Sequence, residues 1–302
     1  MADQPLRDAD DVRDEALPKT IAEGLAEARD IIELAADEYG PIHKTFLLIS
    51  GGNDSMVLYD ACRQFADRIV HINTGIGIPA TNQFVRDVVG PDLIEMHPPV
   101  PYEDIVLGTG KGARPATKKH PAGGSLFGGF PGPGSHHFIY ARLKQRCVEQ
   151  VIRDHRTKRG QRFMLLTGIR NAESKRRMGY ASPIDRKGGQ VWVNPLIRWS
   201  NDLMAQYRAE KNLPVNEVTK HLHMSGECLC GAFAHPGELE EVRFFYPEFA
   251  ARIDRLQEQA KALGLPACVW GERPPKPPKK GAVVAGPMCH ACTLWDDEEI
   301  AS

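Results

Sequence analysis

Six consecutive residues, Ser50–Ser55, have the composition of a loop that binds phosphate. They follow a short apolar run that predicts a strand and precede a segment with helical periodicity. Gly51 and Gly52 let the backbone turn tightly and approach an anion, and the first N–H groups of the helix favour negative charge there. The Gly-Lys-Ser/Thr ending of the other common phosphate loop is absent from this segment, which disfavours a kinase or GTPase. We therefore predict a phosphate site, although a simple strand-to-helix connection is the alternative.

Four of the seven cysteines form two close pairs, Cys228 with Cys230 and Cys289 with Cys292. Close pairs of thiolates are what Zn²⁺ or an iron–sulfur cluster requires. The sequence therefore predicts a four-cysteine metal site, and its spacing alone slightly favours zinc. Four buried free thiols, or one reactive pair, are the alternative. The remaining cysteines have no close partner and are predicted to be ordinary buried residues: Cys62, Cys147 and Cys268.

Strands and helices alternate along the chain around these residues. Predicted strands occupy residues 45–49, 68–72, 92–96, 162–167 and 190–193, and predicted helices occupy 21–39, 55–65, 80–89, 138–154 and 201–211. This order predicts an α/β fold in which an open, mostly parallel twisted sheet carries helices on both faces. Such sheets bind ligands at the carboxyl ends of their strands, so the phosphate loop should lie at that edge.

Changes in composition divide the chain into three predicted parts. We expect an N-terminal helical segment at 1–40, a main domain at 41–217 and a small cysteine-rich metal module at 218–302. Residues 108–137, inside the main domain, are rich in glycine and proline and show no apolar period. They predict a mobile loop, which is either a lid over a bound nucleotide or a disordered segment.

Composition and charge limit the classes of protein that this chain can represent. With 302 residues, 42% hydrophobic content and a net charge of -1, it should be globular and should not coat nucleic acid non-specifically. Its acidic N-terminus lacks the pattern of a secretory signal, and no apolar run approaches the roughly 20 residues of a membrane-spanning helix. We expect a cytoplasmic protein with reduced cysteines and no membrane partner.

Four segments, taken in order, resemble the PAPS-reductase-like (phosphoadenosine phosphosulfate reductase domain) family of PP-loop ATP pyrophosphatases. Residues 50–55 are similar to the family's Ser-Gly-Gly-x-Asp-Ser signature, with Asn53 where many members have lysine. Residues 69–79 resemble its second strand and Asp-Thr-Gly turn, with Asn73 in place of the acid. Residues 166–177 are similar to Gly-x-Arg-x-x-Glu-Ser-x-x-Arg, and residues 194–216 resemble the stretch after the last core strand.

This resemblance implies an adenine nucleotide alpha hydrolase-like fold that binds ATP, with Mg²⁺ as an expected companion. It implies roles in ATP and pyrophosphate binding for Ser50, Gly51, Gly52, Asn53, Ser55, Thr74, Gly75 and Gly168. It implies catalytic roles for Asp54, Arg170 and Arg177, the two arginines acting as phosphate clamps. Related sulfonucleotide reductases and DNA phosphorothioation proteins carry four-cysteine [4Fe–4S] clusters, so the resemblance favours iron–sulfur over Zn²⁺ at Cys228, Cys230, Cys289 and Cys292.

The favoured function is an ATP pyrophosphatase that adenylates an acceptor oxygen for sulfur incorporation, closest in kind to the ATP-pyrophosphatase component of DNA phosphorothioation systems. A cysteine desulfurase would then be the sulfur source. DNA, bound with other phosphorothioation proteins, would lie against Lys111, Arg114, Lys118, Lys119 and the 273–280 linker, although each of these is also an ordinary solvated charge.

Two other functions stay open at this point. A PAPS or APS reductase shares these motifs, but the chain lacks the C-terminal Glu-Cys-Gly-Leu-His segment whose cysteine attacks the sulfonucleotide. A nucleotide-binding subunit with little turnover fits the departures at Asn53 and Asn73.

Overall fold

The computed structural model describes residues 17–109, 128–133, 136–173 and 181–272. The predicted site residues Arg177, Cys289 and Cys292 therefore lie outside the described residues. The same holds for most of the predicted loop at 108–137, with Lys111, Arg114, Lys118 and Lys119, and for the 273–280 linker.

Six strands of the described residues form one sheet in the order β3-β2-β1-β4-β6-β5. Their bounds are β1 Ile42–Ile49, β2 Arg68–Ile72, β3 Leu93–Met96, β4 Arg162–Leu166, β5 Ile184–Lys187 and β6 Gln190–Val193. All neighbours are parallel except β5, which pairs antiparallel with β6. The predicted α/β fold with an open, mostly parallel sheet is confirmed. The strand order reverses beside β1, where sheets of this type have a crevice that binds ligands.

Helices connect the strands and cover both faces of the sheet. Their bounds are α1 Ile21–Tyr39, α2 Asn53–Cys62, α3 Pro79–Val89, α4 Tyr102–Leu107, α5 His136–Tyr140, α6 Arg146–His155, α7 Asn201–Glu210, α8 Glu217–Leu222, α9 Glu238–Phe245 and α10 Pro247–Ala262. Successive residues of β1 point to opposite faces. Leu47 belongs to the cluster beneath α1, α2 and α7, whereas Phe46 belongs to the cluster beneath α6. The predicted coverage of both faces is therefore present.

The predicted helix at 138–154 is interrupted. A π-helical turn, Ala141–Gln145, separates α5 from α6. Such turns are often found at functional sites because they change the direction in which a side chain points. Lys144 lies on this turn and points toward the segment that carries Cys228.

A third apolar cluster joins the C-terminal residues to the main domain. Val218, Phe249 and Trp270 pack in one cluster with Ile76 and Tyr102, which come from the loop after β2 and from α4. The domain boundary at 217/218 stays a prediction. In the described part of the chain, however, the residues on its two sides share a core.

Cys62 and Cys147 are buried in the described structure, and burial raises their thiol pKa to about 12 and about 11. Cys268 is only half-buried, so its predicted burial is incomplete. Among the described helices, none is both long and apolar enough to cross a bilayer. A cytoplasmic location stays a prediction.

Candidate functional site

The phosphate loop joins the carboxyl end of the central strand β1 to the first turn of α2. Gly51 has a φ of +75°, and a Cβ there would lie 2.9 Å from Cγ2 of Val85 and 3.0 Å from Cγ2 of Thr81. Both the dihedral angle and the packing therefore require glycine at this position. The strand, turn and helix that the sequence predicts around Ser50–Ser55 are all present.

Hydroxyl groups tie the two ends of this loop together. Ser55 Oγ accepts hydrogen bonds from Ser50 N and Ser50 Oγ, each at 3.2 Å, and donates to Gly52 O at 2.9 Å. Gly52 N in turn donates weakly to Ser50 Oγ at 3.4 Å. The two serines, predicted to contact phosphate, thus also hold the loop in shape without a ligand.

Asp54 and Arg170 form a two-hydrogen-bond ion pair beside the loop. Arg170 Nε donates to Asp54 Oδ2 at 2.9 Å, and Nη2 donates to Oδ1 at 3.2 Å. The third nitrogen, Nη1, donates to Trp199 O at 3.0 Å and to Asn201 Oδ1 at 3.1 Å. Arg170 is only 5% exposed. A direct phosphate clamp by Arg170 stays a prediction, and these contacts favour a role in holding Asp54.

Gly168 lets the backbone after β4 approach the first turn of α2. A Cβ at Gly168 would lie 3.2 Å from Asp54 O and 3.4 Å from Ser55 N. This predicted site residue therefore lies against the phosphate loop, on the side where the strand order reverses.

The loop after β2, which contains Thr74 and Gly75, lies beside the segment that carries the first cysteine pair. Three hydrogen bonds join them: Thr74 Oγ1 to Glu227 O at 2.7 Å, Ile78 N to Gly226 O at 2.8 Å, and Leu229 N to Ile76 O at 2.7 Å. A Cβ at Gly77 would lie only 2.2 Å from Glu227 O, so the approach requires glycine. The structure thus brings Cys228 and Cys230 to the same sheet edge as the phosphate loop.

Asn216 connects this segment to the phosphate loop, and its role was not predicted from the sequence. Its Nδ2 lies 3.1 Å from Gly51 O, 3.0 Å from Thr81 Oγ1 and 3.3 Å from Ser225 O, while its Oδ1 caps α8 by accepting from Val218 N. Asn216 is 2% exposed. An Asn before a short helix is a cap signal, but only the fold shows what its amide contacts.

The contacts of Asn73 explain why an amide stands where the resembled Asp-Thr-Gly turn has an acid. Its Nδ2 donates to Glu95 Oε1 at 2.8 Å, and its Oδ1 accepts from Gly75 N at 3.1 Å. Arg86 also holds Glu95, and that pair, followed by the Asn73 amide, lowers the pKa of the Glu95 carboxyl to about 2. A carboxylate at position 73 would face Glu95 with like charge, whereas the amide donates to it.

Cys228 and Cys230 are two positions apart, and the interaction between their thiols raises the pKa of Cys228 well above its usual value, with burial adding to the effect. The same interaction lowers the pKa of Cys230. Lys144 Nζ lies 2.8 Å from Glu227 Oε2 beside them. Burial opposes the positive charge of Lys144, but Glu227 and Cys228 outweigh it and raise its pKa.

The described cysteine pair fits half of the predicted metal site. Two thiols in contact, with a cation beside them, suit the negative charge of thiolate ligands. Within the described ranges no group of three or more His, Cys, Asp or Glu side chains is placed to hold a metal ion. A complete site would need Cys289 and Cys292, which lie outside those ranges.

No protein-family model and no curated protein matches this chain. The solved structures that are similar to it include the following two. One is a phosphoadenylyl-sulfate (PAPS) reductase from Candida auris in a phosphate complex, with a TM-score of 0.40, 16% identity, and coverage of 68% of this chain and 94% of that chain. The other is the U34-tRNA thiolase NcsA from Methanococcus maripaludis with its [4Fe-4S] cluster, with a TM-score of 0.37, 11% identity and 80% coverage of each chain. A PAPS reductase is thus among the structures that this chain resembles.

Proposed function

We propose that this protein is an ATP pyrophosphatase that adenylates an acceptor oxygen so that sulfur can replace it, with DNA phosphorothioation as the favoured setting. The observation that carries the proposal is the contact between the loop at Thr74 and the segment at Cys228–Cys230, beside a phosphate loop of the expected geometry. A nucleotide site and a pair of thiols at one sheet edge are what sulfur transfer driven by ATP requires.

The proposed reaction has two steps. The acceptor oxygen attacks the α-phosphorus of ATP, the bond to the oxygen that bridges the α- and β-phosphates breaks, and pyrophosphate leaves. A thiol reductant releases hydrosulfide from the persulfide of a cysteine desulfurase partner and is itself oxidised to a disulfide. The hydrosulfide then attacks the atom that bears the activated oxygen, and AMP leaves with that oxygen. Adenylation is needed because an unmodified oxide is a poor leaving group.

In the first step the chain mainly stabilises charge. The N–H groups of the loop and of the first turn of α2 face the developing pyrophosphate, and the helix dipole favours its charge. Asp54 is the carboxylate of that turn, and Arg170 fixes its direction. Mg²⁺ would bind chiefly through the ATP phosphates and water, with Asp54 as the nearest candidate ligand.

For the metal we propose a [4Fe–4S] cluster held by Cys228, Cys230, Cys289 and Cys292. Gly271 lies against Gly231, so the described chain ends close to the first cysteine pair. Cys289 follows Glu272 by 17 positions, and an extended chain of that length spans roughly 55 Å, so the chain is long enough to bring the second cysteine pair to the first. When bound, the cluster would handle sulfur or transfer electrons next to the nucleotide.

A PAPS or APS reductase is the second candidate, because the contacts at Thr74 and Ile76 bring the Cys228–Cys230 segment to the same sheet edge as the phosphate loop, where a thiol could attack a bound sulfonucleotide. This reading requires a cysteine that is free of metal. It predicts sulfite release from PAPS or APS with thioredoxin, which the first proposal does not.

The test is ATP-dependent release of AMP and pyrophosphate by anaerobically purified protein, alone and with DNA or tRNA. We expect release that depends on an acceptor and falls at least tenfold in Asp54→Asn. Asp30→Asn, an exposed change on α1, is the matched control and should match wild type. Sulfite release from PAPS or APS with thioredoxin, with no release of pyrophosphate from ATP, would replace the proposal with the reductase. Absence of both products, with ATP still bound, would leave only a nucleotide-binding protein.

The metal is tested separately on the same preparation. A brown protein with broad absorbance near 400 nm that fades in Cys228→Ser contains the iron–sulfur cluster. A colourless protein with stoichiometric zinc would refute that assignment and leave the nucleotide site untouched.

A further inference from the structure

We propose that a cleft between the end of β3 and helix α6 binds the phosphodiester backbone of a nucleic acid acceptor. This inference rests on the proposed function, because it names the class of acceptor that the site adenylates. The cleft is about 260 Å³ in volume and is lined by His97, Pro99, Arg146, Cys147, Glu149, Gln150 and Arg153.

The charge of this part of the surface is the first argument. Residues 142–162 contain eight Arg and Lys but only two Asp and Glu, in a chain whose net charge is -1. Five of those cations are exposed: Arg146, Arg153, Arg156, Lys158 and Arg159. Because the positive charge is confined to one part of a nearly neutral protein, it favours binding of a polyanion at a defined place over non-specific binding to nucleic acid across the whole surface.

The geometry of the two cleft arginines is the second argument. Arg146 and Arg153 are seven residues apart on α6, so they lie on one helix face about 10.5 Å apart along the axis. A nucleic acid strand rises about 3.4 Å per phosphate, so this separation matches about three phosphates. Arg146 makes no ion pair with a described residue, and Arg153 contacts the neutral Gln150. Their charges are therefore available to phosphate oxygens.

Glu149 cancels only one of the two arginine charges, so the lining keeps a net positive charge. Glu149 is the one carboxylate among the lining residues, and the amide of Gln145 donates to it at 2.7 Å. His97 adds a ring 3.6 Å from Glu95, which Arg86 already neutralises. The cleft therefore favours an anion over a neutral ligand or a cation.

Position relative to the phosphate loop is the third argument. Ile49, His71 and Glu95 are register partners across β1, β2 and β3. Two strand spacings of about 4.8 Å therefore separate Ile49 from Glu95, and the phosphate loop and His97 follow these residues at the same sheet edge. A strand held in the cleft would place a neighbouring nucleotide about 10 Å away, over the bound ATP.

The test uses the full-length protein and fluorescence anisotropy with labelled duplex DNA, single-stranded DNA and an RNA hairpin. We expect Arg146→Glu/Arg153→Glu to weaken binding of the preferred nucleic acid at least tenfold and to reduce the salt slope by about two. Arg146→Gln/Arg153→Gln should give a smaller loss in the same direction. ATP affinity should not change, because neither arginine contacts the phosphate loop.

The matched control is Arg255→Glu/Lys261→Glu, which reverses two exposed charges on α10. Equal loss in the control, no loss in the cleft variant, or no nucleic acid binding by wild type would each overturn the inference. These results are distinguishable from failure of the proposed function, in which wild type releases no AMP whatever it binds. The three labelled probes decide between DNA and RNA.

Discussion

Arg170 was predicted to clamp phosphate, but its contacts in the structure are with other protein groups. Its guanidinium donates to Asp54, to Trp199 O and to Asn201, and these hydrogen bonds fix the first turn of α2 relative to the turn before α7. The sequence predicted that Asp54 and Arg170 belong to one site. It could not predict which way the buried Arg170 side chain faces, because that depends on contacts with residues 29 or more positions away.

Arg170→Ala should therefore affect stability as well as activity. It removes the partner of a largely buried carboxylate, which costs about 3 kcal/mol in free energy of unfolding, and AMP release should fall at least tenfold. Urea unfolding and product assays measure the two effects. Arg29→Ala, an exposed change on α1, should alter neither. Lost activity with wild-type stability would instead indicate a direct contact between Arg170 and phosphate.

Glu95 predicts a contribution to stability that depends on pH. Its pKa falls from 4.5 to about 2, mainly through Arg86, so the folded state favours the charged carboxylate. That contribution is complete above pH 4.5 and is lost as the pH falls toward 2. Glu95→Gln should lower stability at pH 7 by on the order of 1–2 kcal/mol and reduce the loss between pH 4.5 and 2.

Thermal unfolding followed by circular dichroism across this pH range checks the prediction. Glu258→Gln, an exposed change on α10, is the control for loss of a carboxyl group. Parallel stability curves for wild type and Glu95→Gln would contradict it.

At the scale of elements, α8 and the segment after it hold the phosphate loop in position, and we call this arrangement a brace. The side-chain amide of Asn216 caps α8, donates to Gly51 O and contacts Ser225 O. This one side chain therefore connects the helix, the phosphate loop and the segment that carries the first cysteine pair. In the proposed function Asn216 would therefore act on ATP through the loop, without contacting the reacting atoms.

Comparison of two helix caps tests this brace. Asn216→Ala and Ser200→Ala each remove a capping side chain, at the N-termini of α8 and α7, at a cost of about 1 kcal/mol. Only Asn216→Ala should also raise the KM for ATP, by at least fivefold, because Gly51 O loses its donor. Equal KM values in the two variants would show that Asn216 only caps α8 and does not support the phosphate loop.

Long, periodic elements were predicted well, and short ones were not. The five parallel strands and the helices α1, α2, α3 and α7 were placed within a few residues. The six-residue α4 and α8 are too short to show a helical period, and β5 (Ile184–Lys187) has three exposed residues and little apolar pattern. The position of Cys228 beside Thr74 depends on contacts across about 150 residues, which no local pattern contains.

At the scale of the whole molecule, the C-terminal residues complete the main domain. Ile76 and Ile78, both about fully buried, pack in the same cluster as Val218, Leu229 and Trp270. The loop that is predicted to contact adenosine is thus covered by residues from beyond the predicted boundary at 217/218.

A chain that ends at residue 217 should therefore fail to form a stable domain. Removal of the later residues would expose Ile76, Ile78, Tyr102 and Ile105, and each buried side chain of this size is worth about 1.5–3 kcal/mol. We expect aggregation or a broad, uncooperative thermal transition. A soluble truncated protein with cooperative unfolding and normal ATP affinity would instead support 218–302 as a separate module.

The close approach of Gly77 to Glu227 also bears on how the protein is made. A ribosome that has delivered the phosphate loop, β1 and β2 must add about 150 further residues before the partner of the Thr74 loop exists. Pairing over such a distance closes late, because the entropy of a long loop is lost before the contacts form. The proposed nucleotide pocket and the first cysteine pair would therefore mature together, near the end of synthesis, and the nascent chain before that point would lack the final geometry of both proposed sites.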